Sequence, residues 1–260
     1  MVSLGDHGRH ELVGNVAREH HGRMTFITTM LVSGFSFLPG QAQIAEAAEF
    51  TKEQQVTATL ATVRVRNTSV DREGSGVLIG KRGEYVFILT AQHIVQGGDR
   101  FEVAVYAKES SRPHKIYPSA EILAQMQGLG DLALLRLRTD DSMPSYLQVC
   151  PVAKVPKEMP ISMLTAGCES GKAPTVIVEK GVEKKLAQRR EGDEKATFWE
   201  VAAKYPPGRS GGPLIDKQAY LLGVCSGTNR DKTYFTHIDE IHRFLIRHGY
   251  RWLTEEKAEK

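Results

Sequence analysis

Three short segments of this 260-residue chain carry residue types that could together activate a hydroxyl. Thr90-Ala91-Gln92-His93 offers an imidazole, and Gly130-Asp131-Leu132-Ala133-Leu134 offers a carboxylate. Gly208-Arg209-Ser210-Gly211-Gly212-Pro213 offers a hydroxyl set among glycines. A serine hydroxyl is a poor nucleophile near neutral pH. It needs a base to take its proton, and imidazole is helped in that role by a carboxylate that fixes its tautomer and stabilises its charged form. These residue types point to attack on a carbonyl, with Ser210 as nucleophile, His93 as base and Asp131 as orienting acid. A tight glycine turn can also aim backbone amides, here those of Gly208 and Ser210, at the oxyanion of a tetrahedral intermediate. Losing one such donor typically costs about 3 kcal/mol of transition-state stabilisation.

Groups that act together must sit on rigid elements, and the flanking sequence supplies strands. The apolar run 86–91 leads into His93, and the apolar run 132–137 follows Asp131. Val63 and Val65 alternate with Arg64 and Arg66, the period of a half-buried strand. Residues 76–79 and 85–90 read as a hairpin, and 101–107 alternates again. Residues 139–160 hold Pro144, Pro151, Pro156 and Pro160, a density that prevents a long regular element and suits a connection between halves. Short strands follow at 161–166, 173–178, 196–201, 213–215 and 220–225. The polar segment 46–55 reads as a short helix or a loose stretch. Only the chain end is strongly helical, with Ile238, Ile241, Phe244 and Leu245 at helix spacing. Many short strands with one terminal helix predict an all-β pair of barrels or a sandwich.

The bulk properties exclude several classes. A hydrophobic content of 41% and a charged content of 25% are ordinary for a globular chain. A formal charge of +3 gives no case for nucleic acid, and the basic stretch 180–190 lacks the aromatics that stack bases. It reads as a solvated strand pair or loop. No His-Glu-x-x-His is present and the cysteines lack paired ligand spacing, so no metal or other cofactor is expected. The apolar run 26–38, preceded by Arg18 and Arg23 and followed by small residues around Ala42, reads as an export signal. The expected organisation is a signal and upstream segment over 1–42, a first β-unit over 43–140 and a second over 141–260. The mature product is expected to be secreted or periplasmic, with no stable membrane insertion. Cys150, Cys168 and Cys225 allow one intrachain bridge at most, with Cys150 and Cys168 the pair considered; Cys225 reads as a small buried thiol.

The three motifs, in this order, resemble those of the chymotrypsin-like (trypsin-fold) serine endopeptidases, and most closely their bacterial-type branch that includes the HtrA/Deg proteases. Gly74-Ser75-Gly76-Val77-Leu78-Ile79 is similar to the first-barrel hairpin of that branch, and Arg209 departs from the Asn or Asp usual before the nucleophile. The resemblance implies two six-stranded barrels with the active site between them, His93 and Asp131 from the first and Ser210 from the second. It also implies an oxyanion hole at Gly208 and Ser210, and a substrate-pairing strand at Cys225-Ser226-Gly227 that lines the primary pocket. Lys204 falls near the pocket floor, where it could favour an acidic side chain, while Tyr205 could restrict the pocket to small ones. Substrates would be proteins or peptides. The lack of an Ile/Val-Val-Gly-Gly sequence before the first strand implies no activation by a newly cut N-terminus. The short stretch after the terminal helix implies no PDZ domain. The competing expectation is a non-catalytic or latent peptide-binding module on the same scaffold.

Overall fold

The structure, a computed structural model, describes residues 50–126, 128–157, 161–188 and 195–256. The expected export signal lies outside the described residues. The chain enters through helix α1 (Lys52–Ala61), where Thr51 and Gln54 form a reciprocal cap: Gln54 N–H donates to the Thr51 hydroxyl, and Thr51 N–H to the Gln54 side chain. The polar segment expected to be helical or loose therefore supplies only the start of a helix that continues to Ala61.

The first barrel contains β1 (Thr62–Asn67), β2 (Arg72–Arg82), β3 (Tyr85–Thr90), β4 (Phe101–Tyr106), β5 (Pro113–Met126) and β6 (Leu132–Arg138), with the single turn α2 (Gln92–Val95) after β3. It closes in the order β1-β2-β3-β6-β5-β4, every neighbour antiparallel. The second half contains β7 (Gln148–Val149), β8 (Ile161–Cys168), β9 (Pro174–Gln188), β10 (Lys195–Val201), β11 (Pro213–Ile215), β12 (Tyr220–Asn229) and β13 (Lys232–His237), followed by helix α3 (Ile238–Arg247). Its strands run β11-β8-β9-β10-β13-β12, and pairing of β12 back onto β11 closes a second six-stranded antiparallel barrel. β7 adds to β12 in parallel. The fold is the expected pair of barrels with a C-terminal helix. No described helix is long and apolar enough to cross a membrane.

The packing explains why β3 and β6 read as unbroken apolar runs. Val86, Ile88 and Leu135 point into the core of the first barrel with Val63, Val65 and Val103. Their neighbours Phe87, Leu89 and Leu134 point the other way, into a second core with Leu164, Trp199, Leu222, Phe235 and Ile241. A strand buried on both faces loses the apolar–polar alternation that marks a half-buried one. The inner ends of β3 and β6, which carry the approach to His93 and the exit from Asp131, are thus fixed from both sides.

Besides the two-residue β7, strands β5 and β13 do not appear in the sequence reading. β5 contains Pro113 and Pro118, and its pairing slips register between Ile122 and Ala124 and against Phe101/Val103. Each slip shifts the side-chain alternation by one, so no period-two signal survives. β13 hides its burial in hydroxyls: Thr233 and Thr236 are fully buried, donating to the carbonyls of Ala203 (2.6 Å) and Gly130 (2.8 Å).

The cysteine pairing considered above is not made. Cys150, Cys168 and Cys225 are free, buried thiols. Cys150 packs in the core shared by the two barrels, whereas Cys168 packs with Ala104 and Tyr106 in a separate small cluster. Burial pushes all three thiols up to about 12, which leaves them protonated and unreactive.

Candidate active site

His93 lies on α2, directly after β3, and Asp131 precedes β6. Antiparallel pairing sets Thr90 opposite Ala133, which brings the two chain segments together beyond the strand ends. Asp131 then holds the imidazole-bearing turn by main chain and side chain. Its carbonyl accepts from Gln92 N–H (3.2 Å), its Oδ1 accepts from His93 N–H (2.9 Å), and its Oδ2 lies 2.9 Å from His93 Nδ1. An ionised carboxylate only accepts, so the proton resides on Nδ1 and Nε2 is left as the basic nitrogen. Asp131 has φ of 46°, in the left-handed region that non-glycine residues enter at some cost; Asp and Asn are the side chains that tolerate it best.

The second barrel completes the grip. Ser226 Oγ–H donates to Asp131 Oδ2 at 2.7 Å, and the Thr236 hydroxyl donates to Gly130 O at 2.8 Å. The Arg72 guanidinium donates to the His93 carbonyl from β2. The carboxylate of Asp131 is 13% exposed and the imidazole of His93 39%, so the acid is sheltered while the base faces the cleft.

Ser210 sits in a loop with two left-handed glycines, Gly208 (φ 98°) and Gly211 (φ 88°). At Gly211 a Cβ would lie 2.0 Å from Ser75 O, so both the torsion and the space demand glycine. Gly211 N–H donates to Cys225 O (2.7 Å), and Cys225 N–H donates to Gly212 O (2.8 Å), which clamps the loop to β12. Both main-chain groups of Cys225 are thereby occupied. The register of β12 against β13 breaks between Cys225 and Gly227, leaving Ser226 outside the ladder.

Ser75, fully buried on β2, is the main tie from the first barrel to this loop. Its N–H donates to Ser210 O (2.7 Å), its hydroxyl donates to Gly208 O (2.8 Å), and the same hydroxyl accepts from Cys168 N–H (2.8 Å). Thr90 Oγ1–H closes the set on Ser75 O at 2.7 Å. With their carbonyls held on this side, the N–H groups of Gly208 and Ser210 donate to no acceptor among the described residues. Ser210 Oγ likewise makes no hydrogen bond to the His93 ring in this structure.

Two cavities border the loop and β12. One of about 150 Å³ is walled by Lys204, Tyr205, Arg209, Ser210, Cys225 and Thr228, among others. The other, about 510 Å³, is lined by Leu129, Leu186, Phe198, Ser226, Gly227 and Tyr234. Lys204, Cys225 and Gly227 line the smaller cavity together with Ser210.

A model of the trypsin-like peptidase domain matches residues 74–224, more than half of the chain. The chain belongs to the trypsin-like peptidase domain family. Its match opens at Gly74, beside the Ser75 tie, and encloses His93, Asp131 and Ser210. Within that family it is related to the HtrA-type proteases. It is 25% identical over 159 residues to the serine protease Do-like HtrA of Bacillus subtilis. It is 26% identical over 192 residues to the uncharacterized protein y4bJ of Sinorhizobium fredii. These alignments cover 59% and 72% of this chain but only 33% and 27% of those relatives, so the peptidase domain spans about a third or less of their length. Among solved structures, the Rv3671c protease of M. tuberculosis in its active form superposes with a TM-score of 0.58 at 20% identity, over 74% of this chain and 82% of that one. The serine endoprotease of Yersinia pestis gives 0.57 at 19% identity, over 77% and 67%. At those identities the likeness is one of fold.

Sequence reasoning left three parts of the site unseen. Ser75 was noted only as part of a glycine-bearing hairpin, although a serine between two glycines on a strand is the signal of a close backbone approach. Ser226 was assigned to substrate pairing, and its bond to Asp131 depends on tertiary placement that no local pattern reveals. Arg209 reads from the sequence only as a departure from the family's motif, yet it is 1% exposed.

Proposed function

We propose that this protein is a serine endopeptidase that hydrolyses peptide bonds through Ser210, His93 and Asp131 and a covalent acyl-enzyme. The observation that carries this reading is the Asp131 carboxylate held 2.9 Å from His93 Nδ1, which supports Nε2 as the base. As Ser210 Oγ attacks the substrate carbonyl, His93 takes its proton and Asp131 stabilises the imidazolium. The unpartnered N–H groups of Gly208 and Ser210 receive the oxyanion. Collapse of the intermediate returns the proton to the departing amine and leaves the acyl group on Ser210. Water, deprotonated by the same imidazole, releases it.

Ser226 and Gly227, at the break in the β12–β13 ladder, supply main-chain groups to an extended substrate. Cys225 contributes its side chain to the pocket wall. The substrates are proteins or peptides, and the site of action is secreted or periplasmic, on the strength of the export signal read over 1–42.

A second reading, a latent or non-catalytic peptide binder, is favoured by one observation: Ser210 Oγ is not bonded to His93 in the free protein. Catalytic hydrogen bonds are often loose before substrate binds, which keeps protease first. Treatment of the full chain with a fluorophosphonate probe separates the two. A single adduct that Ser210→Ala and heat-unfolded controls lack is the expected result; a folded wild type that takes no adduct overturns constitutive activity.

A further inference from the structure

The residue before the nucleophile is a buried cation with no hydrogen-bonded carboxylate among the described residues. The Arg209 guanidinium donates only to neutral oxygens, Gly167 O (3.2 Å), Thr175 Oγ1 (2.9 Å) and Thr175 O (3.2 Å), and its Nε is buried with no partner. The face of Tyr205 lies 5.1 Å from the guanidinium carbon. Burial pushes the Arg209 pKa down from the usual value, and the attraction of Tyr205, Cys225 and Glu169 offsets it only in part.

This charge sits in the wall of the cavity beside Ser210, and a second cation joins it. Lys204 lines the same space and forms no ion pair among the described residues. No carboxylate lines the cavity. Two acids near the guanidinium have partners of their own: Glu179 accepts from Tyr205 Oη (2.5 Å), and Glu169, whose charge also reaches Arg209, pairs with Lys172 (2.7 Å). Isolated charge in a low-dielectric wall acts over several ångströms with little screening, so the cavity is electropositive even though the guanidinium itself is walled off. The volume, about 150 Å³, is that of a cavity that holds a benzene-sized group.

Resting on the endopeptidase reading, we infer that this cavity is an anion-selective subsite that seats an aspartate or glutamate side chain immediately before the scissile bond. Lys204, exposed and without an ion pair among the described residues, makes the direct contact with the substrate carboxylate. Arg209 supplies a fixed positive potential from behind Tyr205 and Cys225. A lysine or arginine in that position meets two like charges and no acceptor carboxylate, so a chain of the trypsin-like family is here built against the basic residues that trypsin-like cleavage suggests. Leucine fits by size but leaves the wall potential unanswered.

The test uses the full chain with internally quenched peptides that differ only in the residue before the scissile bond: Asp, Glu, Leu or Lys. Wild type is labelled in parallel with the fluorophosphonate probe. The expected result is kcat/KM for the acidic peptides at least about tenfold above Leu, with Lys slowest. Lys204→Glu is expected to cut the acid-to-Leu ratio at least tenfold; because the ratio is taken within one variant, general damage to the enzyme cancels. Labelled wild type that prefers Leu or Lys overturns the anionic subsite and leaves the protease reading intact. An acid preference that Lys204→Glu does not change overturns the assignment to these residues. Absence of both labelling and cleavage overturns the two readings together.

Discussion

Ser226 Oγ–H donates to Asp131 Oδ2 across the seam between the two barrels, at 2.7 Å. The same oxygen lies 2.9 Å from His93 Nδ1, so one carboxylate oxygen is shared by a hydroxyl of the second barrel and an imidazole of the first. A hydrogen bond to a charged group is worth about 1.5–3 kcal/mol. Ser226→Ala is therefore expected to lower kcat about tenfold or more with KM nearly unchanged, as measured on any cleaved peptide. A fall in KM-dependent binding with intact kcat would assign Ser226 to substrate contact instead.

Asp131→Asn separates orientation from folding. Asparagine tolerates the left-handed φ of 46° and retains an acceptor for the His93 and Gln92 turn, so the protein folds. The amide, however, favours the wrong imidazole tautomer, and kcat is expected to fall by on the order of 10⁴. Circular dichroism and turnover on the same sample check the two halves of this prediction.

Ser75→Ala removes one hydroxyl and strands two groups, the buried Cys168 N–H and the half-buried Gly208 O. Each unsatisfied group costs about 1–3 kcal/mol, and for a domain of this size each kcal/mol moves Tm by about 2–4 °C. A Tm loss of at least about 5 °C is expected, with a drop in kcat that exceeds any change in KM because the Gly208–Ser210 turn loses its anchor. Unchanged kcat at lowered Tm would make Ser75 a purely structural residue.

The proposed catalytic residues are legible because each sits in a short motif beside an apolar run. Local periodicity shows most strands but leaves a pair of barrels or a sandwich open, and the family resemblance supplies the two six-stranded barrels. The bulges of β5 and the hydroxyl-rich burial of β13 erased that signal. Arg209 shows a different limit. A charged residue between Gly208 and Ser210 reads as exposed on composition alone, and only the packing of Tyr205 and the β8–β9 hairpin against it makes it an interior cation.

His237 gives stability a pH dependence distinct from that of activity. It caps α3, its Nδ1 accepting from Asp239 N–H at 3.0 Å, while its ring packs on Trp199. Burial outweighs the attraction of the Asp239 carboxylate and brings its pKa down to about 4 from the ordinary 6.5. Burial also lowers His242, whose Nε2 donates to Cys150 O at 2.8 Å. A folded pKa below the unfolded one means that the unfolded chain binds the proton first. Stability is therefore complete above about pH 6.5, declines as pH falls through the window down to about 4, and loses nothing further from His237 below it. Thermal melts from pH 7.5 to 4 are expected to show this decline, and His237→Asn, which keeps a capping oxygen but cannot titrate, is expected to flatten it.

The ties of Ser75 to Gly208 and Ser210, and of Ser226 to Asp131, also set an order in time. On the endopeptidase reading proposed above, a growing chain completes His93 and Asp131 before Ser210 exists, so an unfinished chain holds the proposed base and acid without the nucleophile. The Gly208–Ser210 turn meets its anchor on β2 only once both barrels are made, so the site that would attack a neighbour is assembled last.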